Sequence, residues 1–272
     1  MNTRAIFAIA RKDLKVALQN KGVVLPIIIL PVILFVALPW ILAYASSLAA
    51  ADIGSVTNMG QLLQRMPAGL LNELGKYTQE QQIIVFGLVY MLAPMFLIMP
   101  LMVSSVLAAD SFAGEKERKT MEALLYSPTT DRELFSAKLL GAWAAAVAVA
   151  ILSFIIYAIM VNAAAWHSIH AIFFPNWMWI ALVLWVTPAV AGLGLVVMVF
   201  ASAKAQGFQD AYQTGGMVVL PVLLLMVGQI SGVMYFSLGV VLLVGLVIWL
   251  IDIGLLWLAS KSFRRGALMT KF

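Results

Sequence analysis

Cysteine is absent from all 272 residues, which excludes disulfide staples, thiolate metal ligands and a cysteine nucleophile. Histidine occurs twice, as His167 and His170, and charge is scarce: Asp, Glu, Lys and Arg together make up 11% of the chain. A water-soluble domain of this size needs a far larger polar share to cover its surface. In place of that charge stands a composition that is 63% hydrophobic, with a mean hydropathy of +1.01. Its uncharged apolar runs are near the ~20 residues that cross a ~30 Å hydrocarbon core. The sequence is that of an all-α integral membrane protein. The net charge of +5 is placed by membrane topology, and no nucleic-acid partner is expected.

Six apolar segments are legible, at residues 23–45, 83–109, 138–161, 177–200, 215–231 and 237–259. The fifth is short and reads either as a tilted span or as half of a re-entrant hairpin. Orientation follows from Lys and Arg, which concentrate on the cytoplasmic side. With the N-terminus inside, the leading segment, the loop after span two, the loop after span four and the tail at 260–272 hold all but Arg65 and Lys76 of the seventeen basic residues. Both termini are then cytoplasmic, which requires an even number of spans, and the host is the inner or plasma membrane. Residues 46–82 form one sizeable external loop. "AYASS" at 43–47 resembles a signal-peptide cleavage site. The basic region before it and the apolar run are both longer than a signal sequence has, however, so an uncleaved first span is expected.

Residues 1–22 are more than a basic leader. Phe7, Ala10, Leu14, Ala17 and Leu18 share one helical face, while Arg11, Lys12 and Lys15 share another. That pattern predicts a helix lying in the membrane interface, apolar side down and basic side toward anionic headgroups.

The scarce charge is gathered in "AGEKERKTMEALLYSPTTDRELFSAK", residues 113–138. Asp110, Glu115, Glu117 and Glu122 alternate with Lys116, Arg118 and Lys119. Glu115–Lys119 and Arg118–Glu122 are spaced as i,i+4 pairs of a solvated helix, with Met121, Leu124 and Leu125 as an apolar edge. Pro128 stops that helix. Thr130 and Glu133 then have the spacing of a capping box that opens the next one. The expected result is an elbow over 110–137, rigidly fused to spans two and three. "GEKERKT" mimics a phosphate-binding loop but lacks the glycine before the lysine and any preceding strand, so no nucleotide site is expected.

At this elbow the sequence resembles the ABC-2 type exporter permeases, particularly their sodium-export branch. The shared pattern is carried by Glu115, Lys116, Glu117, Arg118, Thr120, Glu122, Leu124, Leu125, Pro128 and Lys138. Ala137 and Lys119 stand where the family usually has glycine. The layout of the whole chain also resembles the family, in the arrangement termed type V. The resemblance implies a permease that is not itself an enzyme and binds no cofactor. It implies two copies of a separate cytoplasmic ABC ATPase, holding ATP and Mg, and a second permease, identical or sister. The elbow, with Lys119 among its exposed charges, and the interfacial helix with Phe7, Arg11, Lys12, Leu14 and Lys15 would form the coupling surface. Outward transport of a cation such as sodium, a drug or a lipid-like molecule would follow.

Asp252 is the one clear ionisable residue inside a span. It reads either as part of a substrate path, handling a cation or proton, or as a carboxylate wetted near the interface. His167 and His170 lack a neighbouring carboxylate or cysteine and read as an interfacial pair rather than a metal site. Trp166, Trp177 and Trp179 read as an aromatic belt. Gly192 and Gly194 read as positions that loosen or pack helices, and Gln206, Gln209 and Gln213 as a polar entrance or a solvated helix end. An ATPase-independent secondary transporter or channel is the alternative, but it calls for several paired charges within the membrane. A membrane-embedded enzyme ranks last, since Gly-x-Ser-x-Gly, His-Glu-x-x-His and a dense Asp cluster are all missing.

Overall fold

A computed structural model describes residues 3–51, 68–119, 130–231 and 234–262. Among these residues every regular element is helical. An N-terminal helix α1 (Thr3–Gln19) precedes α2 (Lys21–Ala45), and a short α3 (Ala68–Leu74) precedes α4 (Gln79–Glu117). Then follow α5 (Asp131–Ile169), α6 (Trp177–Lys204), α7 (Phe208–Gln229) and α8 (Leu238–Ser262). Six of these, α2 and α4 to α8, are long and apolar enough to cross a membrane. The fifth of these spans, α7, starts well before the apolar run legible in the sequence. It reaches its length through a 3-10 turn at Gly216–Val219.

The centre of the bundle is α4, the most deeply buried of the six. Its closest partner is α6. Small residues make that approach: a Cβ at Gly194 would lie 2.6 Å from Ser104 Oγ and 2.7 Å from the Leu101 carbonyl oxygen. Since lipid is as apolar as leucine, helices in a membrane associate through such close van der Waals packing. Gly194→Val is therefore expected to separate α4 from α6. Thermal unfolding in detergent should show a loss of about 1–3 kcal/mol, the usual range for overpacking. An unchanged unfolding temperature would contradict this contact.

α4 widens into π-helical turns at Phe86–Met91 and Asp110–Gly114. A backbone carbonyl released by such a turn must find another donor, because the hydrocarbon core supplies none. Three consecutive carbonyls meet this need with side chains from three other helices. Tyr157 of α5 donates to Leu88, Trp179 Nε1 of α6 donates to Val89 at 2.7 Å, and Gln229 of α7 donates to Tyr90. Pro94 explains the last of these, since it has no N–H for the Tyr90 carbonyl.

Trp179 thereby leaves the aromatic belt. Its side chain is fully buried, and its ring packs against Phe96, Phe154, Tyr157 and Phe174 with centroids 5.0–6.1 Å apart. Trp166 and Trp177 are exposed, as a belt requires. The difference lies in helical phase. Trp177 and Trp179 are two residues apart, about 200° around a helix, so they face opposite ways. His170 ends α5 in the left-handed region (φ 53°).

Candidate functional site: a charged hub at one end of the bundle

The charged segment is where the chain's scarce ionic groups meet. α4 ends at Glu117, and Lys119 takes a left-handed backbone (φ 56°). The uninterrupted helix expected from Asp110 toward Pro128 is thus broken, and the i,i+4 register expected for Glu115–Lys119 is lost. Thr120, Glu122, Leu124, Leu125 and Pro128 lie outside the described residues. Beyond them the capping box forms as its spacing implies: Glu133 N donates to Thr130 Oγ1 at 3.3 Å, and Thr130 N donates to Glu133 Oε2 at 3.1 Å.

Four consecutive residues, Glu115 to Arg118, each tie this end of α4 to another part of the protein, with Glu115 buried, Lys116 half-buried and Glu117 and Arg118 exposed. The Glu115 carboxylate is buried between two ammonium groups, Lys12 Nζ of α1 at 2.5 Å and Lys138 Nζ of α5 at 2.6 Å. Lys138 is itself fully buried. It also donates to Asp13 Oδ2 at 3.2 Å and to the Ser111 carbonyl at 2.7 Å, an acceptor within the π-helical turn of α4. Asp13, Glu115, Lys12 and Lys138 form a balanced set of two negative and two positive charges, which is how charge survives burial. Burial alone would pull the Lys12 ammonium down. The bond to Glu115 and the charge of Asp13 outweigh that and hold it above the ordinary lysine range, so it stays charged throughout neutral pH.

The next two residues join a different pair of elements. Lys116 Nζ donates to the Ala205 carbonyl at 2.9 Å, at the C-terminal end of α6. Glu117 Oε2 accepts from Phe208 N at 2.9 Å, the first residue of α7. A cation at a helix C-terminus and an anion at a helix N-terminus both complement the helix dipole. The two neighbours therefore brace the junction between α6 and α7 from both sides. Gly207 makes room, since a Cβ there would lie 2.7 Å from Glu117 Oε2. Arg118 closes the set by donating to Asp110 Oδ1 at 2.9 Å, a bond that raises its already high basicity. Asn20 Nδ2, between α1 and α2, reaches the same oxygen at 3.1 Å.

The N-terminal helix divides the single apolar face read from its sequence into two. Asp13 and Ala17 are buried, and α1 lies so close to α5 that a Cβ on Gly141 would come 2.9 Å from Ala10 Cβ. Phe7, Leu14 and Leu18 are exposed instead. Arg4, Arg11, Lys12 and Lys15 line a shallow depression with Phe7 and Ala8. Gln206, Gln209 and Gln213 are all exposed. Asp252 lies elsewhere, buried within α8 against α6.

Sequence reasoning missed Asp13, Asn20 and the buried role of Lys138. A signal for Asp13 was present. It is the one acid in a basic helix, and it shares the 10, 13, 17 spacing of the face that packs.

A family model described as ABC-2 family transporter protein matches residues 7–247. The chain belongs to the ABC-2 transporter family. The match runs from α1 through the hub and into the first part of α8, so it covers the hub and stops short of Asp252. Membership makes this the permease component of an ABC transporter, a multi-pass membrane protein without a nucleotide-binding site of its own, whose kind associates with an ATPase subunit. No curated protein and no solved structure gives a significant match.

Proposed function

We propose that this permease is an exporter subunit whose charged hub passes the stroke of a cytoplasmic ATPase into the membrane helices. Two ATPase copies, holding ATP and Mg, would act on a pair of permeases. The ATPase would press on the elbow at 110–137, and within it Glu115 to Arg118 would distribute the load. The observation that supports this reading is the sequence of ties along the hub. Glu115 reaches α1 and α5, Lys116 reaches α6, and Glu117 reaches α7, all from the end of the central helix α4. Displacement of so short a segment moves four spans and the N-terminal helix together. In this reading the hub end is cytoplasmic, and Arg11 and Lys15 of α1 face anionic headgroups while Phe7 and Leu14 enter the lipid.

Contact and transmission are separable by mutation. Leu124→Asp places a charge on the apolar edge of the elbow and is expected to weaken co-purification with the cognate ATPase at least tenfold, about 1.4 kcal/mol. Lys116→Ala combined with Glu117→Ala is expected to leave docking intact while ATP hydrolysis no longer drives export. Docking unchanged by Leu124→Asp, or full transport in the double variant, would overturn the respective half of the proposal.

A further inference from the structure

Asp252 takes no part in the hub. It lies on α8 seven residues before Ala259, so about 10 Å of helix separates it from that end of the span. The carboxylate is 1% exposed, and neither oxygen has a hydrogen-bond partner among the described residues. It rests directly on α6, where a Cβ at Gly192 would lie 2.7 Å from Asp252 Oδ2. α6 carries one ionisable residue, Lys204, which is exposed and twelve residues (about 18 Å of helix) beyond Gly192. On α8 itself the next is Lys261, nine residues on. Along α8 the neighbours one turn away are Ile248, Trp249, Leu255 and Leu256, all apolar.

An ionised carboxylate in a membrane interior is kept by a counter-charge, by hydrogen-bond donors or by water. Among the described residues the α6–α8 seam supplies neither a counter-charge nor a hydrogen-bond donor, and Gly192 brings backbone against the oxygens where a donor would have to sit. We propose that Asp252 is a proton-binding site, occupied when α6 and α8 are closed over it and emptied only when they part at Gly192. The un-ionised acid is the form that this packing accepts. Loss of the proton would leave a bare charge in the seam and favour its opening to water. Proton occupancy and the spacing of these two spans are thereby linked. Proton binding at Asp252 needs no ATPase and is testable on the permease alone.

The test uses the purified permease in lipid nanodiscs with dicyclohexylcarbodiimide, which modifies un-ionised carboxyl groups in apolar surroundings. Peptide mass spectrometry is expected to find Asp252 modified at neutral pH, with severalfold less modification as the pH is raised. Infrared spectra should contain a carboxylic-acid C=O band that Asp252→Asn removes. The neutral amide should leave the unfolding temperature unchanged. Absence of modification at every pH, with no acid band lost in the variant, would show an ionised residue and overturn the proposal. Protection by added sodium or potassium at constant pH would overturn it too, by making the site one for a metal cation.

Discussion

Lys138→Met is expected to lose about 3–5 kcal/mol of stability, the cost typical of breaking a buried ionic set by removing one partner. The side chain is fully buried and touches three acceptors on two elements: Glu115 and the Ser111 carbonyl on α4, and Asp13 on α1. Methionine restores the volume and none of the charge, leaving two carboxylates facing one ammonium. Thermal or denaturant unfolding in detergent measures the loss. Adding Glu115→Gln to Lys138→Met removes the surplus negative charge and should recover a substantial part of it. Equal destabilisation in the single and double variants would show that packing, not charge balance, holds this end of the bundle.

Trp179→Ala is expected to cost a similar amount, about 3–5 kcal/mol. The ring is the hub of an aromatic cluster drawn from α4, α5, α6 and the segment before α6, and its indole N–H serves the Val89 carbonyl. Trp179→Phe separates the two roles. It keeps an aromatic ring but orphans that carbonyl, at about 1–3 kcal/mol for an unsatisfied buried acceptor. The same unfolding measurement orders the variants, with wild type above phenylalanine and phenylalanine above alanine. Phenylalanine behaving as wild type would mean that the freed carbonyl of α4 needs no donor.

These two sites show what could and could not be read from the residues. The all-helical membrane fold was legible because lipid demands long apolar runs, and nothing subtler is needed to see six of them. The capping box at Thr130 and Glu133 was legible because it is a local device with fixed spacing. Trp179 was misplaced on an outer belt because composition near a span end cannot reveal helical phase. The direction of the hub charges was hidden for another reason. Glu115 and Lys138 are 23 positions apart, and Lys12 is 103 positions from Glu115. A run of alternating charge looks the same whether its partners are water, its own helix or distant elements. Only the π-helical turn at Asp110–Gly114, which no pattern announced, aims Glu115 inward. The elbow pattern nevertheless pointed, through its resemblance, to the right family.

The absence of native cysteine makes the central claim directly measurable. Spin labels on cysteines introduced at Lys119 and Gln209, both exposed, bracket the brace between the elbow and the start of α7. Their distance distribution would be recorded by pulsed electron resonance in the permease–ATPase complex, without nucleotide and with ATP trapped. The hub predicts one distribution in both states for the native brace, because elbow and α7 move as a unit. It predicts a broadened or shifted distribution on ATP binding once Lys116→Ala and Glu117→Ala are added. A nucleotide-dependent shift of the same size with the brace intact would contradict it.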